Sequence, residues 1–318
     1  MKSPMKKKDY FTDNPQHTAS SYPMQCCDPQ PGSRLKTTGY NVFPGIEIFY
    51  HHVHIPKCSF ENALSGPVFE INHCREGRME RAFHDEFYYL APGDLSLTLK
   101  AESESSYFPL SHYQGISILI HIDSAPKCLS CFLDDVRVSP RALTQKFCAA
   151  GQCFVIRSHA GIEHIFSELY SVPDLIKKGY FKIKILELLL FLSALDIKQN
   201  EMQTHSVSKA QALLAKEVGR YLSAHMEKRI TLEMLSEKFH ASGTSIKSSF
   251  KAVYGVSLYS YTRMQKMQAA ALMLENTSQS ILEIAGKFGY ENGSKFAKAF
   301  QDCMGKTPHQ YRQTREKV

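Results

Sequence analysis

The apolar positions of the chain change period after residue 160. From about 40 to 155 they alternate over short runs, and "GIEIFYHHVHI", "GPVFEINHC", "RMERAFHDEFYYL", "DLSLTLK" and "GISILIHID" read as β-strands. Between them "REGR" (75–78) and "APGD" (91–94) supply turn chemistry. Short strands at this spacing predict a β-sandwich or small barrel. Beyond 160 the period becomes helical: Ile162, Ile165, Phe166 and Leu169 predict one helix, ended by Pro173. A second is predicted over "GYFKIKILELLLFLSALD" (179–196), apolar over more than half its circumference. That is too broad for a lone surface helix, so it is expected to pack on the β-rich part and form a two-fold dimer contact. The competing expectation is burial within its own chain. The polar run "KQNEMQTHSVS" (198–208) reads as a linker, and everything after it is helical in pattern.

That last segment repeats itself. "TLEMLSEKFHASGTSIKSSFKAVYGVSLYSY" (231–261) aligns with "SILEIAGKFGYENGSKFAKAFQDCMGKTPHQY" (280–311). Leu232, Leu235, Ser236 and Phe239 correspond to Ile281, Ile284, Ala285 and Phe288 at an offset of 49. After one extra residue in the turn, Ile246, Phe250, Gly255 and Tyr261 correspond to Phe296, Phe300, Gly305 and Tyr311 at an offset of 50. Apolar and small positions recur while exposed positions vary: one packing scheme carries two surfaces. Each copy has a short amphipathic helix, a turn with Gly243 or Gly293 at its end, and a second helix capped by Ser242 or Asn292, which is the helix-turn-helix plan. Leu258, Tyr261, Met264, Met267, Ala271 and Leu274 mark one face of a long helix between the copies.

Charge follows the same division. The net charge is +7, yet residues 205–318 hold 17 Lys+Arg against 9 Asp+Glu, and the first 204 residues hold 21 against 22. All the positive excess lies with the repeat, so one domain is expected to meet a polyanion. The basic opening "MKSPMKKKDYFTD" has no apolar stretch behind it, and "ILELLLFLSAL" (185–195) is too short to cross a bilayer. A cytoplasmic protein is expected, with its nine cysteines as reduced thiols. Cys128-x2-Cys131 and Cys148-x4-Cys153 offer four sulfurs but lack the two tight pairs of a zinc knuckle.

"KMQAAALML" (266–274), "ILEIAGKFGYENGSKFAKAFQDCMGKTPHQYR" (281–312) and, less tightly, "SIKSSFKAVYG" (245–255) carry a resemblance to the AraC/XylS family of bacterial transcription regulators. It covers about 100 residues, 212–312. The resemblance implies that both second helices enter adjacent major grooves of double-stranded DNA, about one turn (~34 Å) apart on one face. Carried over position by position, it makes Thr244, Lys247, Ser248, Ser294, Lys295 and Lys298 base-facing. Lys251, Lys266, Lys306 and Arg312 are expected at phosphates. It further implies RNA polymerase as a partner, a small-molecule effector, and a homodimer. Lys266 stands where the family often has Arg, Gly286 interrupts a predicted helix, and no tryptophan occurs.

The histidines of "FYHHVHI" (49–55) raise a different chemistry. On a strand His52 and His54 share one face and His51 takes the other. The strands, with Pro92-Gly93-Asp94 as a turn, are similar to the cupin-type barrels found in many members of this family. Metal-binding cupins place a Glu four or five residues after His-x-His, but here Cys58 or Ser59 occupies that slot and Glu61 lies too far along. His73, His84, His112 and His121 remain as further imidazoles. No metal, cofactor or catalytic residue is therefore assigned. Instead Tyr50, His52 and His54, on a face with Ile46 and Ile48, are expected to line an effector pocket. Arg75, Arg78 and Arg81 cluster near a hairpin, where an anionic ligand or solvent would meet them.

The expected architecture is α+β: a flexible arm (1–38), a cupin-like β-barrel or sandwich sensor (39–160), linking and dimerisation helices (161–204), and an all-α DNA-binding domain (205–318) with helix-turn-helix units at 231–255 and 280–305. The expected function is sequence-specific transcription regulation under effector control, not enzymatic catalysis. Two alternatives stand beside it: a metal-dependent cupin-type enzyme with a basic appendage, and a ligand-insensitive DNA-binding protein.

Overall fold

The computed structural model describes residues 7–12, 24–26, 34–60, 66–83, 86–100, 104–129, 138–148, 153–196 and 206–313. The chain divides into two compact units, Met1–Ser206 and Val207–Val318. His84, Cys131 and most of the expected linker lie outside the described residues. Among the described residues no helix is long and apolar enough to cross a membrane.

The first unit contains strands β1 (Lys7–Thr12), β2 (Met24–Cys26), β3 (Arg34–Phe43), β4 (Ile46–His54), β5 (Lys57–Phe60), β6 (Val68–Gly77), β7 (Met79–Phe83), β8 (Glu86–Leu90), β9 (Leu95–Lys100), β10 (Glu104–Tyr107), β11 (Tyr113–His121) and β12 (Phe154–Ile156). Helix α1 (Pro140–Cys148) precedes β12, and α2 (Ala160–Leu169) and α3 (Lys177–Ala194) follow it. Seven strands form one antiparallel sheet in the order β1-β3-β4-β11-β6-β9-β12, while β10-β5-β2 form a smaller one and β7 pairs with β8. Among the described residues these sheets are open, with β1 and β12 as the edges of the large one.

The large sheet is covered on both faces, so its central strands are buried at most positions, apolar and polar alike. Toward the helices, Ile46, Ile48, Phe69, Ile71, Leu95, Ile116 and Ile118 join Phe166 of α2 and Phe181, Ile185, Leu188 and Leu192 of α3 in one core. On the opposite face Phe49, Val53, Val68, Tyr113 and Leu119 pack with Met79, Leu90 and Phe108. A charged group lies among them. Glu70, 1% exposed, receives hydrogen bonds from Arg81 at 2.6 Å and Ser117 Oγ at 3.1 Å, and Lys100 Nζ is 3.0 Å away. Burial alone would raise this carboxyl, but Arg81 and Lys100 outweigh it and hold the pKa down at about 2.

Two of the expected segments hold elements that the sequence reading did not include. Residues 1–38 contain β1, β2 and the start of β3 and are not an arm throughout: β1 pairs with β3 and β2 with β5. An edge strand offers a row of unpaired N–H and C=O groups, and a neighbouring extended segment satisfies them. The segment expected to be β-rich, 39–160, also yields α1, whose Leu143 and Phe147 enter the helix-side core.

The second unit is helical: α4 (Lys209–Ala224), α5 (Leu232–Phe239), α6 (Gly243–Tyr254), α7 (Leu258–Asn276), α8 (Ile281–Lys287), α9 (Gly293–Met304) and α10 (Pro308–Gln313). Its boundaries follow from capping. Ser208, Thr231, Ser242, Ser257, Ser280 and Asn292 each accept a first-turn N–H through the side chain. Ser280 and Glu283 complete a reciprocal capping box.

Candidate nucleic-acid interface

The two helical pairs α5–α6 and α8–α9 are built alike. Their first helices begin after Thr231 and Ser280, and their second helices after Ser242 and Asn292. The offset thus grows from 49 to 50 within the turn, where the sequences differ by one residue. Gly243 and Gly293 begin the second helices in tight quarters: an added Cβ would lie 2.7 Å from Leu232 Cδ2 in one case and 2.8 Å from Leu282 Cδ2 in the other.

Both second helices then divide into an inner and an outer face. In α6, Ile246, Ser249, Phe250, Val253 and Tyr254 are buried; in α9, Phe296, Ala299 and Phe300 are. Phe250 packs on Tyr261 at 5.3 Å, and Phe300 on Tyr311 at 5.4 Å, so equivalent aromatics anchor each helix. The outer face of α6 presents Thr244, Lys247, Ser248 and Lys251, all exposed, at the i, i+3, i+4, i+7 spacing of one helical stripe. On α9, Ser294, Lys295 and Lys298 are exposed in the same way. Gln301 continues that stripe at the position equivalent to Lys251; sequence reasoning passed over it because it is uncharged.

Lys266 and Arg312 are placed differently from the other phosphate candidates. Lys266 is half-buried, its Nζ donates to the Phe288 carbonyl at 2.9 Å, and burial lowers its pKa. Arg312 donates to the Gln279 carbonyl at 2.5 Å. Both tie the two ends of α8 to the rest of the unit. Lys251 and Lys306 are exposed.

A groove of about 790 Å³ runs between the two helical pairs. Lys228, Arg229, Lys247, Lys251, Arg263 and Lys266 line it over an apolar bed that includes Leu232, Leu258 and Phe288, with no acidic side chain among the described lining. Arg263 is also paired with Asp302 at 2.6 Å, which joins α7 to α9. Lys228 and Arg229 come from "MEKRI", directly before the Thr231 cap, and were legible only as part of the net charge.

In the first unit, strand alternation places the histidines as read: His52 and His54 are exposed on one side and His51 is buried on the other. The structure does not gather Tyr50, His52 and His54 into one cavity. The Tyr50 hydroxyl donates to the Leu169 carbonyl at 2.7 Å and the ring lies 6.2 Å from Phe181, so α2 and α3 fill this part of the face. His54 lies beside His112, ring centroids 4.9 Å apart with the planes tilted by 36°. Burial, with Lys36 beside His52 and His112 beside His54, lowers both pKa values. Among the described residues no group of three His, Cys, Asp or Glu side chains is arranged to hold a metal ion.

The second unit has the build of a tandem helix-turn-helix protein. The family described as "Helix-turn-helix domain" matches residues 235–314. The uncharacterized HTH-type transcriptional regulator YdiP of Escherichia coli (strain K12) is 39% identical over 100 residues, 31% of this chain and 33% of YdiP. The multiple antibiotic resistance protein MarA of the same organism is 30% identical over 94 residues, 30% of this chain and 74% of MarA. The C-terminal domain of AraT, a response regulator from Geobacillus stearothermophilus, is 31% identical, covering 32% of this chain and 85% of that one, with a TM-score of 0.31. The chain thus spans most of MarA but only a third of YdiP. It belongs to the AraC/XylS family of transcription regulators.

Proposed function

We propose that this chain is a sequence-specific regulator that grips two successive major grooves with α6 and α9 and answers to a small molecule held by its first unit. One observation carries the DNA part: duplicated helices with matched cores present two different exposed stripes, Thr244-Lys247-Ser248 and Ser294-Lys295-Lys298. Lysine donates to guanine O6/N7, and Ser or Thr pairs with several bases, so unlike stripes read unlike half-elements. Lys251 and Lys306 meet phosphates, and the basic groove follows the backbone between the two grooves. Lys266 and Arg312 serve that contact indirectly, by fixing α8.

The rest of the reading is built on family and chemistry. The first unit acts as a sensor related to cupin-type barrels, and the protein works in the cytoplasm with RNA polymerase on its promoters. A ligand shifts the balance between DNA-binding states only through unequal affinity for them. Two copies associate through α3, along which the N-cap Ile176 and then Ile183 and Leu190 are exposed at intervals of seven. A seven-residue interval keeps the three on one face, as one position of a heptad seam does. Its basic start (Lys177, Lys178, Lys182) would face the carboxyl-terminal end of an antiparallel partner helix.

Selection from a random-sequence DNA pool with the full chain tests the proposal. A recovered site with two short, unlike elements supports it. An enriched pool without a shared sequence, lost steeply with salt, contradicts it and leaves a basic module without readout.

A further inference from the structure

The first unit holds a cavity of about 320 Å³ where β6, the turn after β8 and α2 meet. Its inner wall is His73, 2% exposed, with the imidazole stacked on Phe166 at 4.2 Å and 7° between planes. His73 Nδ1 lies 3.4 Å from the Tyr170 hydroxyl. Its Nε2, also buried, has no hydrogen-bond partner, since Glu163 Oε2 at 3.8 Å is beyond reach. Burial holds this imidazole at a pKa of about 4, so the ring is neutral near pH 7 and offers one hydrogen bond at Nε2. A buried polar atom left without a partner is unfavourable, and a ligand atom would relieve it.

The mouth of the cavity carries both signs of charge. Arg75 of β6 lies over the Tyr170 ring, 4.4 Å from its centroid, with its side chain 48% exposed. Glu163 of α2 is 41% exposed, and Ser167 follows one turn later. Gly93 makes room for the carboxylate: a Cβ there would lie 2.1 Å from Glu163 Oε1. A half-exposed cation and a half-exposed anion, above a neutral buried hydrogen-bonding group, suit a small molecule that is itself doubly charged.

We propose that this cavity binds a zwitterion of amino-acid size, its carboxylate on Arg75, its ammonium on Glu163, and one polar atom on His73 Nε2. The volume lies at the low end of the ~300–1,000 Å³ usual for ligand sites, which disfavours long amphiphiles and nucleotides. The consequence for regulation rests on the effector reading above; the binding does not. A molecule here bridges the sheet and α2, and α2 is tied to α3 through Glu168 and Lys184. Occupancy would therefore favour one setting of the helices.

The test is thermal unfolding of the full chain with each standard L-amino acid at millimolar concentration, beside the matching carboxylate without the amine and the matching amine without the carboxylate. At least one amino acid should raise the midpoint saturably, and its singly charged analogues should not. Arg75→Gln and Glu163→Gln should each weaken that binding roughly tenfold or more, the scale of a lost charge-assisted contact. Both side chains are half-exposed, so the unliganded variants should unfold at the wild-type midpoint. The site is overturned if no standard amino acid shifts the midpoint, or if the shift survives unchanged in both variants. DNA affinity, measured alongside, separates the two claims. An amino acid bound through Arg75 and Glu163 that leaves DNA affinity unchanged upholds the site and removes effector control. A different molecule that alters DNA affinity equally in wild type and in the double variant, with no amino acid bound, upholds effector control and removes the site.

Discussion

Gly255 and Gly305 end the two second helices with the same backbone. Their φ angles are +75° and +74°, and each N–H bonds to the carbonyl four residues earlier, Lys251 or Gln301, at 2.8 Å. Two chain segments that share few surface residues thus stop at the same point, which fixes where each exposed stripe ends.

The closure predicts a backbone cost without a steric one. An added Cβ at Gly305 meets nothing within 4 Å, so Gly305→Ala pays only for the left-handed conformation. Urea unfolding should show a loss of about 1–2 kcal/mol. An unchanged midpoint would show that the helix ends differently in solution.

Gly286 predicts the opposite sign. It lies in α8, exposed, with open space around an added Cβ. Gly286→Ala should stabilise the chain by up to ~1 kcal/mol through helix propensity while leaving DNA affinity unchanged. Destabilisation in the same urea experiment would mean that the site needs glycine for another reason.

Lys298 and Lys251 should behave differently on DNA. Lys298→Ala is expected to cost ~1–3 kcal/mol on the selected site and little on unrelated sequence, as a base contact does. Lys251→Ala should weaken both about equally and reduce the slope of log K against log salt by about one. Titrations at several salt concentrations distinguish the two patterns, and exchanged behaviour would reassign the roles.

Stability should fall on mild acidification. Burial, partly opposed by Glu70 at His51, lowers both the His51 and His73 pKa values to about 4, against 6.5 when unfolded. Between these values the unfolded chain binds more protons, so stability present above pH ~6.5 is lost progressively down to pH ~4, by about 1.4 kcal/mol per unit for each histidine. Glu70 adds a loss only lower down, between ~4.3 and about 2. Replacement of His51 by Gln should flatten the first slope; a slope that is unchanged in the variant would locate the proton uptake elsewhere.

Self-association should depend on the exposed stripe of α3. Ile183 is 63% exposed, so Ile183→Glu should not disturb the core, yet should shift a dimer toward monomer in sedimentation experiments. A dimer of undiminished strength would place the contact on another surface.

Much of the second unit was legible in the sequence, because its period, caps and glycines each reflect a local requirement. Ser242 and Asn292 cap the second helices as read, and Phe250 and Phe300 are buried as their spacing requires. Roles that depend on a distant partner were not legible. Lys266 and Arg312 look like surface cations until the Phe288 and Gln279 carbonyls are brought to them. Tyr50 looked like a pocket residue because alternation gives its face but not what covers that face, which is α2 and α3. His73 stands in the sequence only as one of several further imidazoles, and the packing of Phe166 and Tyr170 against it makes it a cavity wall. The pairing of β1 and β2 likewise depends on remote strands, whereas composition there suggested an arm.

The central claim is that α6 and α9 read two elements at a fixed separation on one face of the duplex. The most direct measurement is the affinity of the full chain for its selected site before and after five base pairs, about half a helical turn, are inserted between the elements. Loss of specific binding, not restored when the insertion is extended to a full turn because the two helices are held at one separation, is the predicted result. Undiminished affinity for the half-turn insertion would contradict the account, since two rigidly held helices cannot follow elements moved to opposite faces.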